Sequence, residues 1–191
     1  MKKFFTIFIF LLSLQNISSA DSISDYEVAG LKLGKSIIKV MSIEEIIDNL
    51  VQRSDDERYM TIKYVPDNSI YSNLDFNEYY VTIDMINDEL KIVSITGMEW
   101  MPNNFNGCIE KQNKFANKFE KIFQIKKEIY PIKDFSDKYG PGSKWRAIIF
   151  EYPIKANTAS VLCYHYGDFP EENNLKVSVL TREYADSISV Y

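Results

Sequence analysis

The sequence predicts an α+β protein in which one or more antiparallel sheets pack against two amphipathic helices, as two successive α–β–β–β units. Two segments repeat apolar residues at helical spacing, and each is followed by runs in which apolar and polar residues alternate. Strands that are joined by short turns are antiparallel neighbours. Because each helix must bury its apolar stripe, we expect both helices to lie on a sheet face.

The first 20 residues have the three-part layout of a secretory signal peptide. Lys2 and Lys3 begin it, residues 4–14 are mostly apolar, and small residues at 18–20 precede Asp21. The apolar run is shorter than the ~20 residues that cross a bilayer. We therefore predict cleavage after Ala20, a single domain over residues 21–191, and a periplasmic or secreted protein. The alternatives are an uncleaved membrane anchor and a buried N-terminal strand.

The charge balance narrows the range of partners. The chain has 22 basic and 27 acidic residues, a net charge of −5, and loss of Lys2 and Lys3 would leave −7. Such a protein repels phosphate backbones and anionic lipids, so we expect no nucleic-acid partner and no membrane-surface role. The residue directly after Ala20 is Asp21 and not a cysteine that could accept a lipid, so we expect no membrane anchor in the mature form.

The chain has two cysteines, Cys108 and Cys163. In an oxidising compartment such a pair usually closes, so we predict a disulfide bond between them. The chain-entropy estimate for a loop of this length is roughly 4 kcal/mol of stabilisation. The alternative is two separate buried thiols, because the sequence alone does not place the two Cα atoms within ~7 Å.

Two helix starts are predicted in the first half. Gly34 allows a turn with positive φ, after which Ser36 is predicted to cap a helix. Ser42 and Glu45 have the spacing of a capping box, in which each side chain accepts from the other residue's backbone N–H. The following apolar positions have helical spacing and predict one helix face. These positions are Ile43, Ile46, Ile47, Leu50 and Val51.

Alternating patterns predict strands over residues 60–64, 79–86 and 90–98. Asn87 and Asp88 form the predicted turn of a β-hairpin between the last two. A second amphipathic helix is predicted over residues 108–125, followed by strands over 145–152, 160–166 and 175–181. Thr181 is the predicted N-cap of a short final helix that ends near residue 187. On the 108–125 helix the predicted apolar side consists of Cys108, Phe115, Phe119, Ile122 and Phe123.

The turn at residues 30–36, with Gly30, Gly34 and Ser36, resembles the opening of two exported groups. One is the small lipoprotein family of the outer-membrane barrel-assembly machine, and the other is the β-lactamase inhibitor protein family. In this chain Lys35 stands where those groups usually have Met, and the lipoprotein's anchoring Cys is absent. The inhibitor resemblance implies two helix-plus-sheet units, disulfide bonds, and protein binding through one sheet face.

A longer resemblance is to exported bacterial proteins without an assigned activity, which open with a Gly-x-x-x-Gly-x-Ser turn before a helix. The corresponding segments are residues 30–36, residues 108–123 with Cys108 at the start of a Lys-rich helix, and residues 181–184. This resemblance supports the predicted architecture and implies no chemistry.

His165 is the only histidine, so a Ser–His or Cys–His hydrolase would have to use it. Its candidate nucleophiles are Ser160, Ser178 and Cys163. The alternative is a partly buried histidine that packs among tyrosines. One His and two Cys do not complete a closed zinc site, and the acidic clusters lack the spacing of a calcium loop. We therefore predict no metal and no cofactor.

Thirteen tyrosines are present, and tyrosine is common at recognition surfaces because its ring buries area while its hydroxyl stays polar. The predicted recognition surface consists of Tyr79, Tyr80, Tyr164 and Tyr166. The alternative is that these residues only favour strand formation. We expect a non-catalytic protein that binds another exported or envelope protein. The alternatives are an inhibitor or immunity-type protein that neutralises a secreted enzyme, and a small hydrolase that uses His165.

Overall fold

The structure, a computed structural model, describes residues 23, 25–55, 57–67, 75–76, 78–86, 89–151 and 157–188. The predicted signal peptide, its cleavage site and the turn at Asn87 and Asp88 lie outside the described residues.

Eight strands form one antiparallel sheet, in the order β3-β4-β5-β6-β10-β9-β8-β7. Two short strands, β1 (Glu27–Val28) and β2 (Leu31–Lys32), pair separately. The strands of the large sheet are β3 (Leu50–Arg53), β4 (Tyr59–Tyr64), β5 (Tyr79–Asp84), β6 (Lys91–Trp100), β7 (Glu128–Asp134), β8 (Lys144–Glu151), β9 (Thr158–His165) and β10 (Asn174–Leu180). The helices are α1 (Ile43–Asp48), α2 (Phe105–Phe123), α3 (Ser136–Tyr139) and α4 (Arg182–Ser187).

The predicted α+β class is confirmed, and each half contains one more strand than the sequence predicts. The first half runs α1–β3–β4–β5–β6 and the second α2–β7–β8–β9–β10, with α3 between β7 and β8. The halves join where β6 pairs with β10. The two strands of the large sheet that were not predicted, β3 and β7, are its edges, and the short strands β1 and β2 were not predicted either.

The predicted first helix is too long at its C-terminal end. The capping box of Ser42 and Glu45 is present, but α1 ends at Asp48, so Leu50 and Val51 lie on β3. The Asn49 carbonyl already accepts from the Lys63 N–H of β4, which directs the chain into the sheet. Of the five predicted apolar positions only Ile46 is buried.

Ser36 does not cap a helix with its side chain. Gly34 has the predicted positive φ, of 72°, but Ser36 then makes an isolated bridge with Lys91, ahead of a 3-10 turn over Ile37–Lys39. Backbone pairing to the start of β6 therefore takes the place of the predicted cap.

The predicted hairpin is formed by β5 and β6, with a register shift between Thr82 and Ile83. This bulge puts Ile92 on the same side as Ile95, although simple alternation separates them. Met85 falls after the end of β5 and is 36% exposed.

The long helix α2 lies across β8, β9 and β10 and covers the apolar side of the sheet. Its N-cap is Asn104, whose side chain accepts from the Gly107 N–H at 3.0 Å. Phe119 and Phe123 are buried as predicted, whereas Ile122 is 41% exposed because it points away from the sheet.

Cys108 and Cys163 join the first turn of α2 to β9. Their sulfur atoms are 2.02 Å apart, the distance of a disulfide bond, and their Cα atoms are 5.9 Å apart. Both residues are buried in the core, so the link fixes one end of α2 against the centre of the second half of the sheet.

Candidate recognition surface

The two faces of the large sheet differ in what covers them. Residues that are paired across antiparallel strands point to the same side, so the registers assign every strand residue to a face. The side under α2 carries buried apolar residues such as Val81, Ile95, Val161 and Val177. We call the opposite surface the open face. Its central strands β6, β9 and β10 contribute Met98, Trp100, Leu162, Tyr164, Lys176 and Ser178.

Hydroxyl side chains form the centre of the open face. Thr61 and Thr82 are hydrogen-bonded across β4 and β5 at 3.0 Å, and Thr96 and Ser178 across β6 and β10 at 2.9 Å. Ser160 is paired with Ser178 in register on β9. These short side chains leave the middle of the surface lower than its margins, which carry larger residues.

Aromatic side chains form one margin. Trp100, at the end of β6, is 49% exposed. On β9 and just beyond it, the rings of Tyr164 and Tyr166 stack with centroids 5.9 Å apart. Phe135 and Tyr139, from the segment between β7 and β8, contact this pair edge to face. The four rings other than Trp100 are therefore held by one another.

Helix α4 forms the opposite margin. The ring of Tyr184 meets that of Tyr59 at 4.9 Å, edge to face. The Arg58 guanidinium donates to Asp84 at 3.0 Å and also to Glu183 of α4. These contacts attach α4 to β4 and β5, and its Thr181 N-cap is present as predicted.

Between the margins lies a groove of about 540 Å³. Its described lining contains a single charged side chain, that of Lys176 on β10. The ammonium group lies 5.3 Å from the ring centroid of Tyr164. Burial lowers the pKa of Lys176 below its usual value.

The four tyrosines of the predicted surface occupy different environments. Tyr80 and Tyr164 are half-buried on the open face, and Tyr166 stacks on Tyr164 at its margin. Tyr79 lies in the core at 3% exposure, where burial raises its pKa to about 12. Tyr79 is therefore inaccessible to a partner, and the other three remain candidates.

The side chain of His165 is hydrogen-bonded to Asn173 and packs against Phe105. The Asn173 side-chain Oδ1 accepts from the Tyr166 N–H at 2.6 Å, so its Nδ2 donates to His165 Nδ1 at 2.9 Å. His165 also contacts the ring of Phe105. Burial, and next the charge of Lys144, lower the pKa of His165.

The nucleophiles proposed for a hydrolase are not brought to His165 by the described part of the chain. Ser160 and Ser178 lie on the open face, whereas His165 shares the other face with Cys163. Cys163 is bonded to Cys108.

The described residues include no group of three His, Cys, Asp or Glu side chains that could hold a metal ion. No helix among them is both long and apolar enough to cross a membrane.

Sequence reasoning missed Trp100 and Lys176. The predicted strand ends at residue 98, because Pro102 and several Asn follow, but β6 continues through Trp100. The signal for Lys176 was available, since alternation on β10 buries Leu175, Val177 and Val179 and turns Lys176 to the other side. Nothing in the sequence showed that this side lacks a covering helix.

No protein-family model matches the chain, and neither a curated protein nor a solved structure matches it.

Proposed function

We propose that this chain is an exported, non-catalytic protein that binds another exported or envelope protein through the open face. The observation that carries the proposal is a concave sheet surface that places the exposed Trp100 beside Tyr164 and Lys176, away from α2. Rigid aromatic rings around a groove supply contact area at low entropic cost. A disulfide bond between Cys108 and Cys163 is compatible with export to an oxidising compartment.

A second candidate is an inhibitor or immunity-type protein that neutralises a secreted enzyme. It is favoured by the succession of two helix-plus-sheet units, which the resemblance to the β-lactamase inhibitor family implies. The two candidates share the open face and differ in the partner, which is a secreted enzyme in the second.

The test is affinity capture with the mature protein, beginning at Asp21, from envelope extract and culture supernatant. We expect a partner that is retained by the wild type and lost with the double variant Trp100→Ala and Tyr164→Ala. If adding more of the mature protein lowers a hydrolytic activity of the captured fraction, the inhibitor candidate is favoured.

The matched control is Ile122→Ala, which removes an apolar residue of similar exposure from the outer side of α2. Retention should be unchanged in this variant. If all baits retain the same proteins, or none, the open face is not a recognition surface.

A further inference from the structure

Lys176 is a half-buried cation without a counter-ion among the described residues. Met98 and Leu162 flank it on the neighbouring strands β6 and β9. No described carboxylate lies within ion-pair distance of it, and burial is the only cause of its lowered pKa. A lysine in this setting has lost hydration without gaining a partner charge, which is unfavourable.

Three acids at the margins of the open face are engaged by other cations. Glu78 pairs with Lys63 at the β4–β5 margin. At the α4 margin Asp84 pairs with Arg58 at 3.0 Å, and Glu151 with Arg182 at 3.7 Å. The positive charge of Lys176 is thus isolated in the middle of a surface whose other described lining residues are uncharged.

Resting on the proposed function, we infer that Lys176 is the specificity-determining residue of the open face and pairs with an Asp or Glu side chain of the bound protein. Charge complementarity selects an acidic occupant. A groove of about 540 Å³ holds a few side chains of an extended segment. Rings at Trp100 and Tyr164 would contact apolar residues beside the acid, and would exclude water from the ion pair.

The test is selection of a random linear peptide library on the immobilised mature protein. The wild type should enrich peptides that contain Asp or Glu. Lys176→Glu should abolish or reverse that preference. Lys176→Met keeps the length and apolar stem of the side chain, and should weaken the best acidic peptide by about tenfold or more, as for a charge-assisted hydrogen bond.

The control is Lys114→Glu, the same charge change at an exposed position on α2, which should leave the acidic preference intact. In wild-type protein with labelled lysine side chains, addition of the selected peptide should shift the Lys176 Nζ resonance and raise its pKa.

The outcomes separate this inference from the proposed function. Peptides that perturb Trp100 fluorescence but show no acidic preference would overturn the role of Lys176 and leave the open face as a recognition surface. Acidic peptides that bind Lys176→Met as well as the wild type would also overturn the role of Lys176 and leave the open face as a recognition surface. Selected peptides that are unaffected by Trp100→Ala would contradict both, and a wild type that retains no peptide above the Lys176→Glu background would contradict the inference.

Discussion

At the scale of single residues, His165 gives the fold a pH dependence. Its Nδ1 accepts from Asn173, and burial lowers its pKa below 6.5, so the folded state favours the neutral ring. The unfolded chain takes up a proton at higher pH than the folded one, so stability falls as the pH drops below about 6.5 and through the folded pKa. Above that range both states are neutral and the contribution is complete.

We therefore expect the melting temperature of the wild type to fall relative to that of His165→Gln as the pH is lowered from 7 to 5. Because glutamine does not titrate, the His165→Gln protein is the reference for the wild type at each pH. A constant difference between the two proteins across this range would show that the histidine pKa is not lowered by folding.

Gln112 is the buried polar contact between α2 and the sheet. It is fully buried, and its Nε2 donates to the carbonyls of Arg146 at 2.9 Å and Val161 at 2.7 Å. Replacement by leucine keeps a similar volume and removes both of these hydrogen bonds, together with the one that Gln112 Oε1 accepts from the Arg146 side chain. We expect Gln112→Leu to lower the unfolding free energy by about 1–3 kcal/mol in denaturant titrations.

Asn113→Leu is the matched control for that change. Asn113 is the exposed neighbour on α2, and its side chain accepts a hydrogen bond from Arg146 at 3.1 Å. Replacing Asn113 by leucine should change the unfolding free energy by less than ~0.5 kcal/mol. Equal effects of the two substitutions would mean that the buried hydrogen bonds of Gln112 stabilise the fold no more than the exposed one of Asn113.

At the scale of elements, α4 is too short to be stable alone and depends on its contacts. Tyr184 supplies the ring contact to Tyr59, so Tyr184→Ala should release α4 from the sheet. We expect amide exchange in residues 184–188 to rise at least tenfold, measured by hydrogen exchange, with a smaller change in β9 and β10. Unchanged exchange in α4 would show that the ring pair does not hold it.

The disulfide bond between α2 and β9 gives the second prediction at this scale, which concerns the unfolding free energy. Cys108→Ala with Cys163→Ala opens a loop whose ends are 55 residues apart in the chain, so the unfolding free energy should fall by roughly 4 kcal/mol. Reduction of the wild type should cause a similar loss. If oxidised and reduced wild-type protein unfold at the same denaturant concentration, the two sulfurs are not joined in solution.

The elements that sequence reasoning found and missed differ in burial. The capping box at Ser42, the hairpin β5–β6, and α2 were predictable because each buries a periodic apolar set or satisfies its own ends. The edge strands were not, since β3 is exposed throughout and continues the helical spacing of α1. Edge strand β7 contains Pro131, which has no backbone N–H to donate, and an edge position tolerates this because one side of the strand pairs with no neighbour.

At the scale of the whole molecule, the sheet has one covered and one open face, and alternation predicts such a difference without showing which side is covered. Alternation shows which residues share a side but not which side receives a helix. That depends on α2 crossing β8, β9 and β10, a long-range contact fixed in part by Cys108 and Cys163. Tyr79 and Tyr80 are adjacent in sequence, yet Tyr79 lies in the core and Tyr80 on the open face.

The most direct measurement of the central claim is site-specific photo-crosslinking in cells that export the protein. A photoreactive phenylalanine analogue replaces Trp100 on the open face or, in the control, Ile122 on the outer side of α2. We predict a discrete higher-mass adduct from the position of Trp100 and none from that of Ile122. The same adducts at both positions, or an adduct from Ile122 alone, would contradict recognition through the open face.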